Sequence, residues 1–123
     1  MNIRPRINRW TTSRRDLIFS PDIKSSLVQP HFVVSGEGVS EAIQSMPGIF
    51  RQSVDVLCQT IAEDIALGIK SHMLFAVVDS HDKDPTASKA SNSDMPLQVA
   101  VAKLKQQFGA EIVIMTDVCL CTA

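Results

Sequence analysis

The sequence predicts an α/β fold with parallel strands. Three observations carry that prediction: three short apolar runs, two amphipathic segments between them, and the regular alternation of the two kinds. Strand, helix, strand, helix, strand is the order produced by right-handed crossovers. At 123 residues the chain has the length of one ordinary domain. A hydrophobic content of 45% with only five glycines and six prolines excludes a disordered or collagen-like chain.

The first apolar run is Leu27-Val28-Gln29-Pro30-His31-Phe32-Val33-Val34. Its β-branched residues favour a strand, and Pro30, which lacks a ladder donor, predicts that the strand proper begins after it. Ser35–Gly48 is punctuated by Gly36, Gly38, Pro47 and Gly48 and reads as a loop. Val54, Leu57, Cys58, Ile61 and Ile65 then recur at helical spacing. Ser53 is placed to cap that helix and Gly68 to stop it. Met73–Val78 is uninterrupted apolar sequence, as expected of a strand covered on both faces. Asp79–Asp94 is polar and reads as a long surface loop. Pro96 in a first helical turn leads Leu97, Val101, Leu104 and Phe108 into a second amphipathic helix, ended by Gly109. Ile112–Met115 is the third run.

Charge divides the chain into a basic N-terminal arm, residues 1–24, and an α/β portion, residues 25–123. The arm carries +4 and the remainder −5, for a net −1. The arm reads either as a segment that docks on another surface or as a solvated terminus. Near-neutral net charge argues against nucleic acid as a partner. No apolar run reaches the roughly 18 residues of a membrane span, and no apolar core follows the basic start to make a secretory signal. A mitochondrial presequence is compatible with the charge, since the first acidic residue is Asp16. Three cysteines read as thiols of a reducing compartment rather than a disulfide frame. Three parallel strands leave open edges and too few helices to cover them, which predicts part of something larger.

The chemistry concentrates in Met115-Thr116-Asp117-Val118-Cys119-Leu120-Cys121. In an extended chain Val113, Met115, Asp117, Cys119 and Cys121 share one face. Functional groups of parallel α/β folds gather at the carboxyl ends of strands, so one carboxylate and two thiols there make a candidate metal or catalytic lip. Thiolates suit zinc, although only two of three expected ligands are present. C-x-C alone is a weak motif, and two small residues at a strand end is its ordinary reading. Cys58 reads as core, His31 as a structural histidine in a strand, and His72 as a residue preceding a strand. His81 lies among Asp79, Asp82 and Asp84, ordinarily solvated loop charge.

In order and spacing these segments resemble the N-terminal part of the porphobilinogen synthase (delta-aminolevulinic acid dehydratase) family. The resemblance runs from Arg-Pro-Arg at 4–6 through Leu27–Val34 and Ser45-Met46-Pro47-Gly48-Ile49-Phe50-Arg51. It continues through Leu67-Gly68-Ile69, Leu74-Phe75 and Lys83-Asp84 to Asp117-Val118-Cys119-Leu120-Cys121. It implies about three βα units of a TIM (β/α)8 barrel, preceded by an extended arm that wraps a neighbouring subunit in a homo-octamer. The implied activity is cytosolic tetrapyrrole (heme) synthesis, in which two 5-aminolevulinate molecules condense to porphobilinogen with loss of water. Cys119 and Cys121 would be two of three thiolate ligands of Zn2+, with Asp117 lining the active site; the family also has Mg2+, which no residue here is assigned to bind.

The chain departs from the family pattern at particular residues. The third zinc cysteine and the two substrate-holding lysines have no counterpart among these residues, and Lys103 and Lys105 read as solvent-facing helix positions. Ala87-Ser88 stands where the family has Gly-Ser, and His31 where it has an aliphatic residue. The 123 residues alone are therefore expected to be inactive and to fold weakly. Two alternatives remain: a non-catalytic subunit that acts through assembly, and a small zinc- or thiol-binding module.

Overall fold

A computed structural model describes residues 6–119. Its helices are α1 (Thr12–Phe19), α2 (Ile23–Ser26), α3 (Val54–Ala66) and α4 (Pro96–Phe108). Its strands are β1 (Val28–Val33), β2 (Ser40–Ala42), β3 (Phe50–Gln52), β4 (Ser71–Ala76) and β5 (Val113–Thr116). They form one sheet in the order β2-β3-β1-β4-β5, parallel except where β2 pairs with β3. The three expected strands and two expected helices are present in the expected order, which makes the fold mixed α/β.

Pro30 lies inside β1 rather than before it. The hydrogen bonds explain why it is tolerated. Val33 accepts from Val77 on the β4 side, whereas Val34 donates to Gln52 on the β3 side. Alternation then turns residue 30 toward the β3 side, where pairing with β1 starts only at Phe32. The missing N–H removes no ladder bond.

α3 begins after Ser53, but the Ser53 hydroxyl makes no cap bond. It accepts from the Val39 N–H at 2.9 Å and donates to Asp55 at 2.5 Å, which ties the β2 loop to the helix start. α3 is stopped by Gly68, just past its Leu67 cap, with φ +96°, and Ile69 N–H reaches back to the Asp64 carbonyl, the closing bond of a Schellman motif. Pro96 opens α4, and the Lys105 ammonium donates to the carbonyls of Gly109 and Ile112 beyond its end. That contact gives Lys105 a role past that of a solvent-facing position.

The core lies between the helices and one face of the sheet. Val33, Leu57, Ile61, Leu74, Leu104 and Ile112 are almost completely buried there, with Cys58 among them as expected. On the opposite face Phe32 stacks on Phe75, ring centroids 5.7 Å apart, and both are half-buried.

Two expectations need correction. Ser35–Gly48 is not wholly a loop, since it contains β2, which pairs with β3. Each has three residues, almost all exposed, too short to display an alternating pattern. The arm is not extended over its described residues: it folds into α1 and α2, and buried Ser13 donates to the Ala110 carbonyl at 2.8 Å. Gly36 sits at φ +113° with Val39 Cγ2 only 3.0 Å from where a Cβ would project. Gly36→Ala is expected to lower stability by more than about 1 kcal/mol, read as a lower urea midpoint at unchanged slope.

Candidate functional site

The parallel register of β4 and β5 brings Ala76 and Thr116 to the same end of the sheet. Beyond Thr116 the chain leaves the ladder. Asp117 and Cys119 are exposed at this carboxyl end, where they line an open pocket of about 260 Å3 with Ala76, Lys89 and Leu97. A smaller recess of about 50 Å3 lies between Phe75, Leu97, Asp117 and Cys119. The structure thus brings two of the three expected site residues together at the expected end of the strands. Cys121 lies outside the described residues.

Strand alternation does not describe this lip. Thr116, Asp117, Val118 and Cys119 all line the one pocket, which four successive residues of an extended strand cannot do. The expectation of thiols is also corrected at Cys119, whose sulfur is in a disulfide, whereas Cys58 is a free thiol. Cys119 offers a metal a thiolate only after reduction. With that reduction, a sulfur and a carboxylate on one pocket wall form a donor set suited to zinc.

The loop beside the pocket is organised by its carboxylates. Asp82 pairs with Lys89, and that hydrogen bond holds its carboxyl below the usual range. Asp84 accepts from the hydroxyls of Ser88 and Thr86 and from their N–H groups, which pushes its acidity well beyond that of an ordinary carboxylate. Ala87 takes φ +49°, the one non-glycine residue with positive φ among those described.

Sequence reasoning read His31 and His72 separately and did not single out Asp64. The fold joins all three on the helix-facing side of the sheet. β1 and β4 pair Gln29 with His72 and His31 with Leu74, which sets the two histidines diagonally on one face. His31 Nε2 and His72 Nδ1 are 3.1 Å apart and share a hydrogen bond. Asp64 Oδ2, from the last turns of α3, is 3.5 Å from His31 and 3.9 Å from His72. Burial lowers the pKa of each imidazole to about 4, with the neighbouring His72 adding to the effect on His31. Both rings are therefore neutral at neutral pH. Burial first, and then Glu63, raises the Asp64 carboxyl. No single-residue signal pointed here; only strand register combined with the α3 face places these groups together.

Among the described residues no helix is long and apolar enough to cross a membrane.

A family model described as delta-aminolevulinic acid dehydratase matches residues 2–123. The dehydratase of Chlamydia pneumoniae is 33% identical over 118 residues, which cover 95% of this chain and 35% of the relative. That of Schizosaccharomyces pombe is 35% identical over 117 residues, 95% of this chain and 33% of the relative. A crystal structure of the Toxoplasma gondii ME49 enzyme, delta-aminolevulinic acid dehydratase (porphobilinogen synthase) in complex with its product porphobilinogen, superposes with a TM-score of 0.75 at 37% identity. That alignment covers 98% of this chain and 34% of the other, so the chain spans about a third of the length of the proteins it matches. Sequence over nearly its whole length and the arrangement of its sheet agree: the chain belongs to the delta-aminolevulinic acid dehydratase family.

Proposed function

We propose that these residues form the N-terminal part of a porphobilinogen synthase, a lyase of heme and porphyrin biosynthesis that condenses two 5-aminolevulinate molecules to porphobilinogen with loss of water. The observation that carries this reading is the lip at the carboxyl end of β5. There Asp117 and Cys119 line one pocket in a chain that matches the family over residues 2–123. In this reading β1, β4 and β5 are strands of a TIM (β/α)8 barrel, residues 25–123 are its opening portion, and the compartment is the cytosol.

Reduced Cys119 and Cys121 are the proposed zinc ligands, and a zinc ion bound there would supply Lewis-acid polarisation of a substrate carbonyl or activation of water. Asp117 would line the substrate space, its carboxylate attracting the amino group of 5-aminolevulinate. The core beneath the lip supports this arrangement, since Leu74 and Phe75 form the floor of the recess beside Asp117 and Cys119. Mg2+ has no assigned residue here.

The test is porphobilinogen formation from 5-aminolevulinate under reducing conditions. A polypeptide of these 123 residues alone is expected to make none, because the family's substrate-holding lysines have no counterpart among them. The same residues in a complete barrel are expected to make it. Replacing Cys119 and Cys121 together by serine should then lower the rate by more than roughly tenfold. Absence of porphobilinogen from the complete barrel, or a rate unchanged by the double substitution, would overturn the assignment.

A second reading, action through assembly, is favoured by one observation. Residues 6–27 combine the arm's basic charge with exposed Ile7, Trp10, Phe19 and Ile23. Such a surface suits docking on an acidic subunit of a homo-oligomer, an octamer in the family's pattern. Co-purification with a full-length synthase, abolished by removal of residues 1–24, is the result that reading requires.

A further inference from the structure

We propose that His31, Asp64 and His72 form a binding site for a divalent transition-metal ion of the zinc class, on the helix-facing side of the sheet. Three side chains from three elements direct one donor atom each to a common point: Nε2 from β1, Oδ2 from α3 and Nδ1 from β4. The three donors are 3.1, 3.5 and 3.9 Å apart. Zinc bonds to nitrogen and oxygen of roughly 2.0–2.2 Å, arranged tetrahedrally, place neighbouring donors about 3.3–3.5 Å apart. An ion therefore fits with shifts of a few tenths of an ångström in the two outer distances.

The charge balance points the same way. Asp64 Oδ2 is shielded from solvent and has no hydrogen-bond partner. Its two close neighbours are neutral imidazoles, so the contact is not an ion pair at neutral pH. A shielded carboxylate oxygen without donor or countercharge is an expensive arrangement, and a cation held by the same three atoms supplies what is missing. Two imidazoles, which are borderline donors, outnumber the one hard carboxylate, and such a set suits zinc and its neighbours better than calcium or magnesium.

Access and a fourth ligand are available. An open pocket of about 160 Å3, lined by Gln52, Thr60, His31 and Asp64 among others, brings solvent to two of the three donor residues, with His72 buried behind them. The Gln52 amide donates to the Thr60 hydroxyl at 2.9 Å on its wall, so a water completing the coordination would have polar neighbours. Bound metal would cross-link β1, α3 and β4, elements separated by up to 41 residues in sequence. A structural role follows from that linkage.

Cobalt(II) and zinc are the probes, used on the chain with Cys119→Ser and Cys121→Ser so that the thiols of the proposed active site take no part. One equivalent of cobalt is expected to bind, with a tetrahedral-type visible spectrum lacking thiolate charge-transfer bands, and zinc to displace it and raise the melting temperature. Two variants remove ligands without opening the core. His31→Leu and His72→Val replace a buried polar ring by an aliphatic side chain and remain folded by circular dichroism, and each should weaken zinc binding at least tenfold. Asp64→Asn should weaken binding while preserving shape. Zinc affinity unchanged in His31→Leu and His72→Val, or no cobalt spectrum in the doubly substituted chain, which keeps only the core thiol Cys58, overturns the site. Neither outcome bears on porphobilinogen formation, which depends on the opposite end of the strands.

Discussion

Leu74→Ala is expected to destabilise the protein by about 2–5 kcal/mol, the largest effect of any single truncation in the sheet. Leu74 is fully buried at the centre of β4, a strand paired on both sides, by β1 and by β5. It contributes to the one cluster that also holds Leu57 and Ile61 of α3 and Leu104 of α4. Truncation leaves a cavity that neither helix can fill without breaking its contact with the other. Total stabilities of small domains run to only about 5–15 kcal/mol, so this loss should bring unfolding into reach of low urea concentrations. The measurement is the urea midpoint at constant slope. Val118→Ala, at a fully exposed position, is the control and should change stability by less than about 0.5 kcal/mol.

Acidification is expected to unfold the metal-free protein between pH 6.5 and 4. Above pH 6.5 His31 and His72 are neutral both folded and unfolded, and their contribution is constant. Below it the unfolded chain takes up protons that the folded chain refuses until about pH 4, because burial lowers both folded pKa values. Stability is thus present above 6.5 and lost as pH falls toward 4, by on the order of a few kcal/mol. Asp64 works in the other direction, since its raised carboxyl takes a proton earlier in the folded state and partly offsets the loss. Melting temperature against pH reads the effect. His72→Val should flatten the profile, and a wild-type profile already flat between 6.5 and 4 would contradict the burial of these rings.

Long, uninterrupted patterns were legible in the sequence. Leu57, Cys58 and Ile61 define the buried face of α3, and Gly68 ends it, because helical spacing and a left-handed stop are local properties. The apolar run at 73–78 predicted a strand, but β4 begins two residues earlier. Ser71 and His72 are polar yet wholly buried, and polarity alone could not reveal that. β2 and β3 were illegible for a different reason: their pairing is fixed by the turn between them, not by side-chain pattern. At the candidate site, a carboxylate and thiols at the carboxyl end of a strand pointed to Asp117 and Cys119, whereas simple alternation misjudged how the chain runs past Thr116. The His31–Asp64–His72 cluster could not be read from spacing, because it depends on the register between β1 and β4 and on which face α3 turns toward them.

Pro30 has a consequence for how this molecule behaves at high concentration. A parallel strand with free backbone groups is a template on which a stray chain can lengthen the sheet. Below Phe32, β1 presents such an edge on the β3 side. Residue 30 is the position on that edge from which a foreign strand would need a donor, and proline has none to offer. The same residue that leaves the native ladder intact thereby interrupts unwanted strand addition along the short stretch of β1 that β3 leaves unpaired.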